Sequence, residues 1–311
     1  METVAVVLEQ PGELALRTVA LTERGADDII VDVDWTGISS GTERLLWSGR
    51  MPHFPGMGYP LVPGYETVGH VSQGGHGFSE GDAVFIPGAN CYEGVRGLFG
   101  GAAARLIVPA SRAVPLKAID GEKGTLLALA ATAYHAIASE GASLPTLIVG
   151  HGILGRLIAR ITLALGGEAP IVWEKNEDRR SGSAGYSVIN PSTDESRNHR
   201  SICDASGAGE LLDTLISRLA KRGEVTLAGF YEAPLSFAFP PAFMREARLR
   251  IAAEFTREDT EAVTALVADG LLSLDGLITN RAPASEAASA YRTAFTEPAC
   301  IKMVLDWRKL Q

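Results

Sequence analysis

One short segment constrains this chain more than any other. Gly150-His151-Gly152-Ile153-Leu154-Gly155 fits the pattern G-x-G-x-x-G. It follows the apolar run Thr146 to Val149 and precedes residues 153–165, where apolar side chains recur at helical spacing. A strand that turns on glycine into a helix places backbone N–H groups at the helix mouth, where an anion is favoured. Gly150 permits the tight turn, Gly152 lets the backbone approach a pyrophosphate, and Gly155 lets helix and strand pack closely. The next apolar run, residues 169–174, ends on Glu174, about 20 residues further on, where a carboxylate can accept from both hydroxyls of a ribose. A carboxylate there repels a 2′-phosphate, so the pattern predicts NAD rather than NADP. Lys175, Arg179 and Arg180 add positive charge beside it. The expected contacts of the dinucleotide are thus Gly150, Gly152, Ile153, Leu154, Gly155, Glu174 and Lys175.

Strand–helix alternation continues after this unit. Residues 201–206 and 224–230 read as strands flanking a helix at roughly 208–222, with Gly223 as its closing residue. Residues 249–255 read as one more strand, and Thr256-Arg257-Glu258-Asp259 as a capping box opening another helix. Such alternation predicts a doubly wound parallel sheet of the Rossmann type, an α/β fold with right-handed crossovers. Ala205 and Gly207, and Gly229 and Phe230, fall at carboxyl ends of its strands, where open α/β sheets bind ligands.

The first third has a different period. Residues 3–8, 14–21 and 28–35 are short β-branched runs. In the third, Ile29, Val31, Val33 and Trp35 alternate with Ile30, Asp32 and Asp34. With strand-like runs at 66–71, 82–87 and 104–109, these predict a small barrel-like domain up to about residue 117.

Composition narrows the class. A chain of 311 residues with 46% hydrophobic and 21% charged positions suits two cores and is not disordered. A net charge of −9 argues against a nucleic-acid surface. The longest uncharged stretch, residues 124–139, is too short for a membrane span. Glu2 stands where a leader would be basic, and Cys91, Cys203 and Cys300 form no CxxC pair, so a reducing, cytoplasmic setting is expected.

An N-terminal β domain followed by a Rossmann unit and a tail resembles the medium-chain dehydrogenase/reductase superfamily over essentially the whole chain. The marks are Gly37-Ile38-Ser39-Ser40-Gly41-Thr42-Glu43, Pro63-Gly64-Tyr65-Glu66, Gly81-Asp82-Ala83-Val84, Thr132-Ala133-Tyr134, the glycine fingerprint, Asp204-Ala205-Ser206-Gly207 and Lys302. The resemblance implies a GroES-like β-barrel catalytic domain of residues 1–118 and 256–311. It implies a Rossmann NAD-binding domain of residues 119–255, a cleft between the two, and a homodimer joined through the strand at 249–255. It also implies that Thr132 packs behind the nicotinamide and that Lys302 reaches the pyrophosphate from the returning tail.

The departures from the superfamily are as informative. Its zinc-dependent alcohol dehydrogenases hold a catalytic zinc through Cys, His and Cys. Here Ser40 and Tyr65 stand in the first two places, with only alanines near the third. Such side chains cannot supply the three N, S or carboxylate ligands a catalytic zinc needs, so no metal is expected. The zinc-free mixture, with SSGTERLLWSGRMP and the tail at 283–307, resembles the branch of bacteriochlorophyll biosynthesis that oxidises the 3-(1-hydroxyethyl) group of a bacteriochlorophyllide, a chlorin macrocycle, to 3-acetyl with NAD⁺. The alternative is a zinc-free NAD(P)H-dependent quinone or enone reductase. For alcohol oxidation Thr42 matches the hydroxyl that bonds the substrate oxygen, and Tyr65 is placed to offer a phenol. Glu66 would orient Tyr65 or contact substrate, and His53, in a Pro/Gly-rich loop beside Phe54, Met57 and Tyr59, is a further candidate base. Tyr65 can act as a base only if a cation lowers its pKa from about 10.

Overall fold

A computed structural model describes residues 1–53, 55–252 and 254–311. Phe54 and Ala253, named in the runs above, lie outside the described residues. The chain divides into two compact units, Met1–Ala128 with Leu277–Gln311, and Leu129–Gly276.

The first unit begins with β1 (Glu2–Gln10) and β2 (Glu13–Ala20), antiparallel about a turn in which Gly12 takes φ +81°. β3 (Asp28–Ile38) buries Ile29, Val31 and Val33 as its alternation predicts, and Ile30 as well. α1 (Thr42–Ser48) ends at Gly49, whose left-handed backbone favours glycine. Short strands follow: β4 (Leu61–Val62), β5 (Thr67–Gln73), β6 (Ala83–Ile86), β7 (Arg96–Gly97), β8 (Arg105–Pro109) and β9 (Val114–Pro115). α2 (Leu127–Ala138) carries the chain into the second unit.

That unit runs β10 (Leu147–Val149), α3 (Ile153–Ala164), β11 (Ile171–Trp173), β12 (Ser187–Ile189), β13 (His199–Asp204), α4 (Leu212–Arg218), β14 (Leu219–Leu227), α5 (Phe239–Arg245), β15 (Arg248–Ile251) and α6 (Arg257–Ala268). Its strands form one six-stranded parallel sheet in the order β12-β11-β10-β13-β14-β15. The order reverses between β10 and β13, and that is where an open α/β sheet offers a crevice at the carboxyl ends of its strands. The expected Rossmann sheet is present. The tail then returns to the first unit as β16 (Asn280–Pro283), α7 (Ala287–Thr296) and β17 (Met303–Asp306).

Three expectations are corrected in detail. Among the described residues the first unit is not a closed barrel. Its strands make a four-stranded sheet, β2-β1-β4-β7, and a seven-stranded one, β16-β17-β3-β5-β6-β9 with β8 on β3. β4 and β7 are two residues each and pair over one or two positions, too short to carry a ladder around. The helix expected at 208–222 ends at Arg218, and Gly223 lies inside β14 rather than closing a helix. A Cβ on Gly223 would stand 2.9 Å from the His199 carbonyl oxygen, beside the register shift in the β13–β14 pair, so glycine there serves close strand approach. The segment 256–276, expected to belong with the tail, falls in the second unit. The His135 ring meets Asp259 Oδ2 through Nδ1 at 2.8 Å, and Arg160 donates to the carbonyls of Ser273 and Asp275 at 2.8 and 2.9 Å.

Thr256 and Asp259 form the predicted capping box: Thr256 accepts from the Asp259 N–H, and Asp259 accepts from the Thr256 N–H at 2.7 Å. Thr256→Ala should therefore lower unfolding free energy by about 1 kcal/mol, read as a reduced midpoint in chemical denaturation. A midpoint equal to that of the parent would contradict the cap.

Candidate active site

The nucleotide fingerprint folds as its residue types require. Gly150 adopts φ +93°, and a Cβ there would lie 3.2 Å from the backbone of Ser206, so the loops after β10 and β13 abut. A Cβ on Gly155 would stand 1.8 Å from the Gly150 carbonyl oxygen, a contact no other residue could make. The Gly152 Cβ direction is open, with no atom within 4 Å among the described residues, which leaves room for a ligand at the mouth of α3. Glu174, largely buried at the end of β11, accepts from the Asn176 N–H at 2.8 Å through Oε1 and from the His151 N–H at 3.1 Å through Oε2. Each carboxylate oxygen retains acceptor capacity beyond these bonds. Ile153 is buried, Leu154 half-buried and Lys175 exposed. At the neighbouring strand ends, Gly207 takes φ +71° and a Cβ on Gly229 would meet its amide nitrogen at 2.7 Å, so the two turns close on each other. Ala205 is half-buried and Phe230 is exposed beside them. These residues fit a dinucleotide: an open glycine, a helix start and a carboxylate at the second strand end.

A second layer behind this loop was not expected from sequence. His151 is fully buried. Its Nδ1 meets the Arg179 carbonyl oxygen at 2.6 Å and so carries the hydrogen, leaving Nε2 to accept from the Tyr186 hydroxyl at 2.9 Å. Burial is the main cause that pushes the ring down to about 4, so it is neutral at physiological pH. Arg156, on α3, donates to the carbonyls of His151, Arg179, Ser181 and Gly182. Asp204 accepts from the Ser206 N–H and hydroxyl and from the Tyr231 hydroxyl, which fixes the turn after β13.

The catalytic candidates of the first unit gather around buried charge. Glu66 is fully buried and its Oε2 meets the Lys302 ammonium, itself only 2% exposed, which also donates to the Ile38 carbonyl at 3.1 Å. The expectation that Lys302 reaches a pyrophosphate is corrected: its amine is held internally by a carboxylate. The Tyr65 hydroxyl donates to Ser39 Oγ at 2.8 Å, and the same oxygen accepts from the Thr42 N–H at 3.3 Å. Burial, reinforced by the Glu66 carboxylate, pushes the Tyr65 phenol upward. Among the described residues no cation is seen to lower Tyr65, the condition its role as base requires, and its hydroxyl stands here as a donor. Glu66 raises its pKa rather than orienting it by a hydrogen bond. His53 is exposed in its loop, outside this group. Met51, Trp47, Met57 and Tyr59 pack with Leu8, Leu45, Leu46 and Leu61 as core. Thr132 sits half-buried on α2.

The sequence reading missed Glu43. It is fully buried on α1 and accepts from the Ser39 N–H at 3.2 Å through Oε1. Burial above all, then the nearby Glu66 carboxylate, pushes it up to about 7, against a Tyr291 hydrogen bond that lowers it. Both residues stood inside quoted motifs, but only the fold brings α1 and α7 together. Cys203, with its thiol pushed up to about 12 by burial, is a core filler and no nucleophile. Among the described residues no group of three or more His, Cys, Asp and Glu is arranged to hold a metal ion.

Comparison with known proteins places this geometry. Residues 25–118 match the alcohol dehydrogenase GroES-like domain. The fold is shared with 2R,3R-butanediol dehydrogenase from Bacillus subtilis (TM-score 0.84, 17% identity, 98% of this chain and 99% of that one) and with an alcohol dehydrogenase from Thermus sp. ATN1 (TM-score 0.83, 24% identity, 97% and 99%). A sheet, a GroES-like unit and a glycine loop of this kind define a dehydrogenase of the medium-chain class. More narrowly, the chain is 57% identical over 311 residues, 99% of both chains, to the 2-desacetyl-2-hydroxyethyl bacteriochlorophyllide A dehydrogenase of Rhodobacter capsulatus. It is 56% identical, again over 99% of both, to the protein of the same name in Cereibacter sphaeroides. The chain belongs to this family of the medium-chain dehydrogenase/reductase superfamily.

The Glu43 carboxyl makes stability depend on pH. Its pKa is raised on folding from 4.5 to about 7. The stability it allows is fully present below the unfolded value and is lost as pH rises through the folded one. The loss is on the order of 3 kcal/mol between pH 5 and 8. Glu43→Gln should flatten that decline, measured by urea unfolding at the two pH values. An unchanged decline in the variant would show that Glu43 is not its source.

Proposed function

We propose that this protein oxidises the 1-hydroxyethyl group of a bacteriochlorophyllide to an acetyl group, with NAD⁺ as acceptor and without zinc. The observation that carries this reading is full-length identity above one half to two proteins named as that dehydrogenase. The strand, open glycine turn and helix followed by Glu174 support a dinucleotide in the second unit. The first unit, with the returning tail, is the catalytic half.

Bound NAD⁺ supplies the hydride acceptor. The mouth of α3 would hold its phosphates and Glu174 would accept from its ribose hydroxyls. Gly150, Gly207 and Gly229 shape the strand ends, and Thr132 would back the nicotinamide. The alcohol oxygen is polarised by the hydroxyls of Thr42 and Tyr65, two residues that both bond Ser39 Oγ. With Ser40 and Tyr65 in the places that ligands would take, polarisation by hydroxyls replaces polarisation by a metal. The enzyme acts in the cytoplasm; its three cysteines are unpaired and buried, and no described helix is long and apolar enough to cross a membrane.

The experiment is direct. Purified protein, NAD⁺ and the hydroxyethyl pigment should give the spectral shift of acetyl formation, and a chelator should not abolish it. No acetyl product overturns the reading. Glu174→Ala should weaken NAD⁺ by ~1.5–3 kcal/mol, measured by titration calorimetry, while NADP⁺ improves relative to it. A parent protein that prefers NADP⁺ would reject Glu174 as the ribose ligand.

The second unit also carries an apolar edge. β15 is the last strand of its sheet; Leu249 and Ile251 on it are exposed, as are Phe239, Phe243 and Met244 on α5. An unpaired edge of this composition invites a second strand. A homodimer pairing β15 with its twin covers it. Light scattering at micromolar concentration should give the dimer mass and Ile251→Glu the monomer; a monomeric parent protein rules the dimer out.

A further inference from the structure

Every polar group of His151 is engaged, although it stands at a place in the glycine loop where the pattern requires no particular side chain. Its N–H donates to Glu174 Oε2 at 3.1 Å, and its carbonyl accepts from Arg156 Nε at 3.0 Å. Its ring donates through Nδ1 to the Arg179 carbonyl at 2.6 Å, and Nε2 accepts from the Tyr186 hydroxyl at 2.9 Å. The Tyr186 ring meets it edge-on, with centroids 5.6 Å apart. Glu174, the segment that follows it and the start of α3 are thus all attached to one residue between Gly150 and Gly152.

That segment has no apolar anchor of its own. Residues 175–185 are exposed or half-buried throughout, and Gly182 and Gly185 take positive φ. A stretch of this kind is placed by its hydrogen bonds, against the entropy of a free loop. Asn176 caps one helical turn, Glu177–Arg179. The Arg179 carbonyl then receives both the His151 ring and Arg156 Nη2, at 2.6 and 3.0 Å, which uses both of its lone pairs. Arg156 continues to the carbonyls of Ser181 and Gly182 at 2.8 and 3.3 Å. Tyr186, the next buried residue, closes the loop back onto His151.

The segment leaves its strand end at Glu174, so a ribose held by that carboxylate would lie beside it. A loop that must be ordered when a ligand arrives subtracts from affinity; one ordered beforehand does not. We propose that His151 is a positioning residue for the adenosine end of NAD⁺: with Arg156 and Tyr186 it holds residues 175–182 against the glycine loop before the cofactor binds. The proposal rests on the dinucleotide reading above. His151 acts through the backbone it fixes, and its ring makes no contact with the cofactor.

Hydrogen–deuterium exchange of the free protein tests the clamp without cofactor. Tyr186→Phe removes one hydroxyl and keeps the ring, His151→Leu removes both ring bonds, and His151→Asn keeps a donor close to the place of Nδ1. The amides of Asp178, Arg179 and Arg180 should exchange about threefold faster in Tyr186→Phe and about tenfold faster or more in His151→Leu, with His151→Asn between them. Titration calorimetry with ADP-ribose, which has the adenosine and pyrophosphate but no nicotinamide, should show Kd raised by similar factors in the same order. In pigment oxidation the KM for NAD⁺ should rise likewise, while kcat at saturating NAD⁺ stays at the parent value. Rescue by His151→Asn and the split between KM and kcat separate positioning from a general loss of structure. Where His151→Leu fails to fold, Tyr186→Phe carries the comparison. Exchange at the parent rate in every folded variant overturns the clamp. Parent affinity for ADP-ribose in those variants, or a fall in kcat that matches the rise in KM, overturns its role in binding. A parent protein that binds neither ADP-ribose nor NAD⁺ rejects the dinucleotide reading and the role in binding with it, while the exchange rates still decide whether the clamp exists.

Discussion

The ion pair between Lys302 and Glu66 sets the terms for the whole first unit. A buried ammonium or carboxylate is tolerated only when paired, because each alone carries a desolvation cost of several kcal/mol. The pair therefore fixes three distant stretches at once: the end of β3, whose Ile38 carbonyl accepts from Lys302, the turn before β5, and the tail leading into β17. It also dictates Gly37, where a Cβ would lie 1.9 Å from Glu66 Oε2 and 2.9 Å from Lys302 Cε. The tail is thus part of the site by charge as well as by its pairing of β17 with β3. Removing Lys302 leaves the Glu66 carboxylate without its cation beside Glu43, whereas removing Glu66 leaves Lys302 facing the Glu43 carboxyl.

How much of this could be read from sequence follows the distance over which each feature is specified. The glycine loop is local. Strand, turn, helix and acid lie within residues 146–174, and each residue type answers a backbone or packing need of its neighbours: Gly150 takes a positive φ, Gly155 packs against the Gly150 carbonyl, and Glu174 follows β11. The Thr256 capping box is legible for the same reason. The end of α4 is less so. Apolar spacing continued past Arg218, but pairing of β14 with β13 and β15 overrides it and draws residues 219–222 into a strand. The buried network is the least legible part. Ser39, Glu43 and Tyr65 are close to Lys302 and Tyr291 only because the tail comes back across more than 200 residues of chain. No spacing within the motifs announces that Glu43 loses all contact with water, or that Lys302 turns inward.

The nucleotide loop shows a parallel constraint of opposite sign. There the buried cation is Arg156, and among the described residues no carboxylate forms a salt bridge with it; its donors go to four backbone carbonyls of His151 and the 179–182 segment. A guanidinium suits this role because its donors are fixed in a plane and can hold several acceptors in one geometry. His151 completes the tie from the other direction: burial holds its ring neutral, with Nδ1 donating to the Arg179 carbonyl and Nε2 accepting from the Tyr186 hydroxyl. The segment after Glu174 is therefore held to the start of α3 by bonds that do not involve Glu174. Arg180 in turn donates to the carbonyls of Glu174 and Lys175, at 3.0 and 2.9 Å, so its charge is folded back on the backbone beside the acid. Arginines next to a ribose-binding acid would ordinarily favour a 2′-phosphate. In this chain the Arg180 guanidinium, one of the three nearby basic groups, is committed to the backbone carbonyls beside the acid.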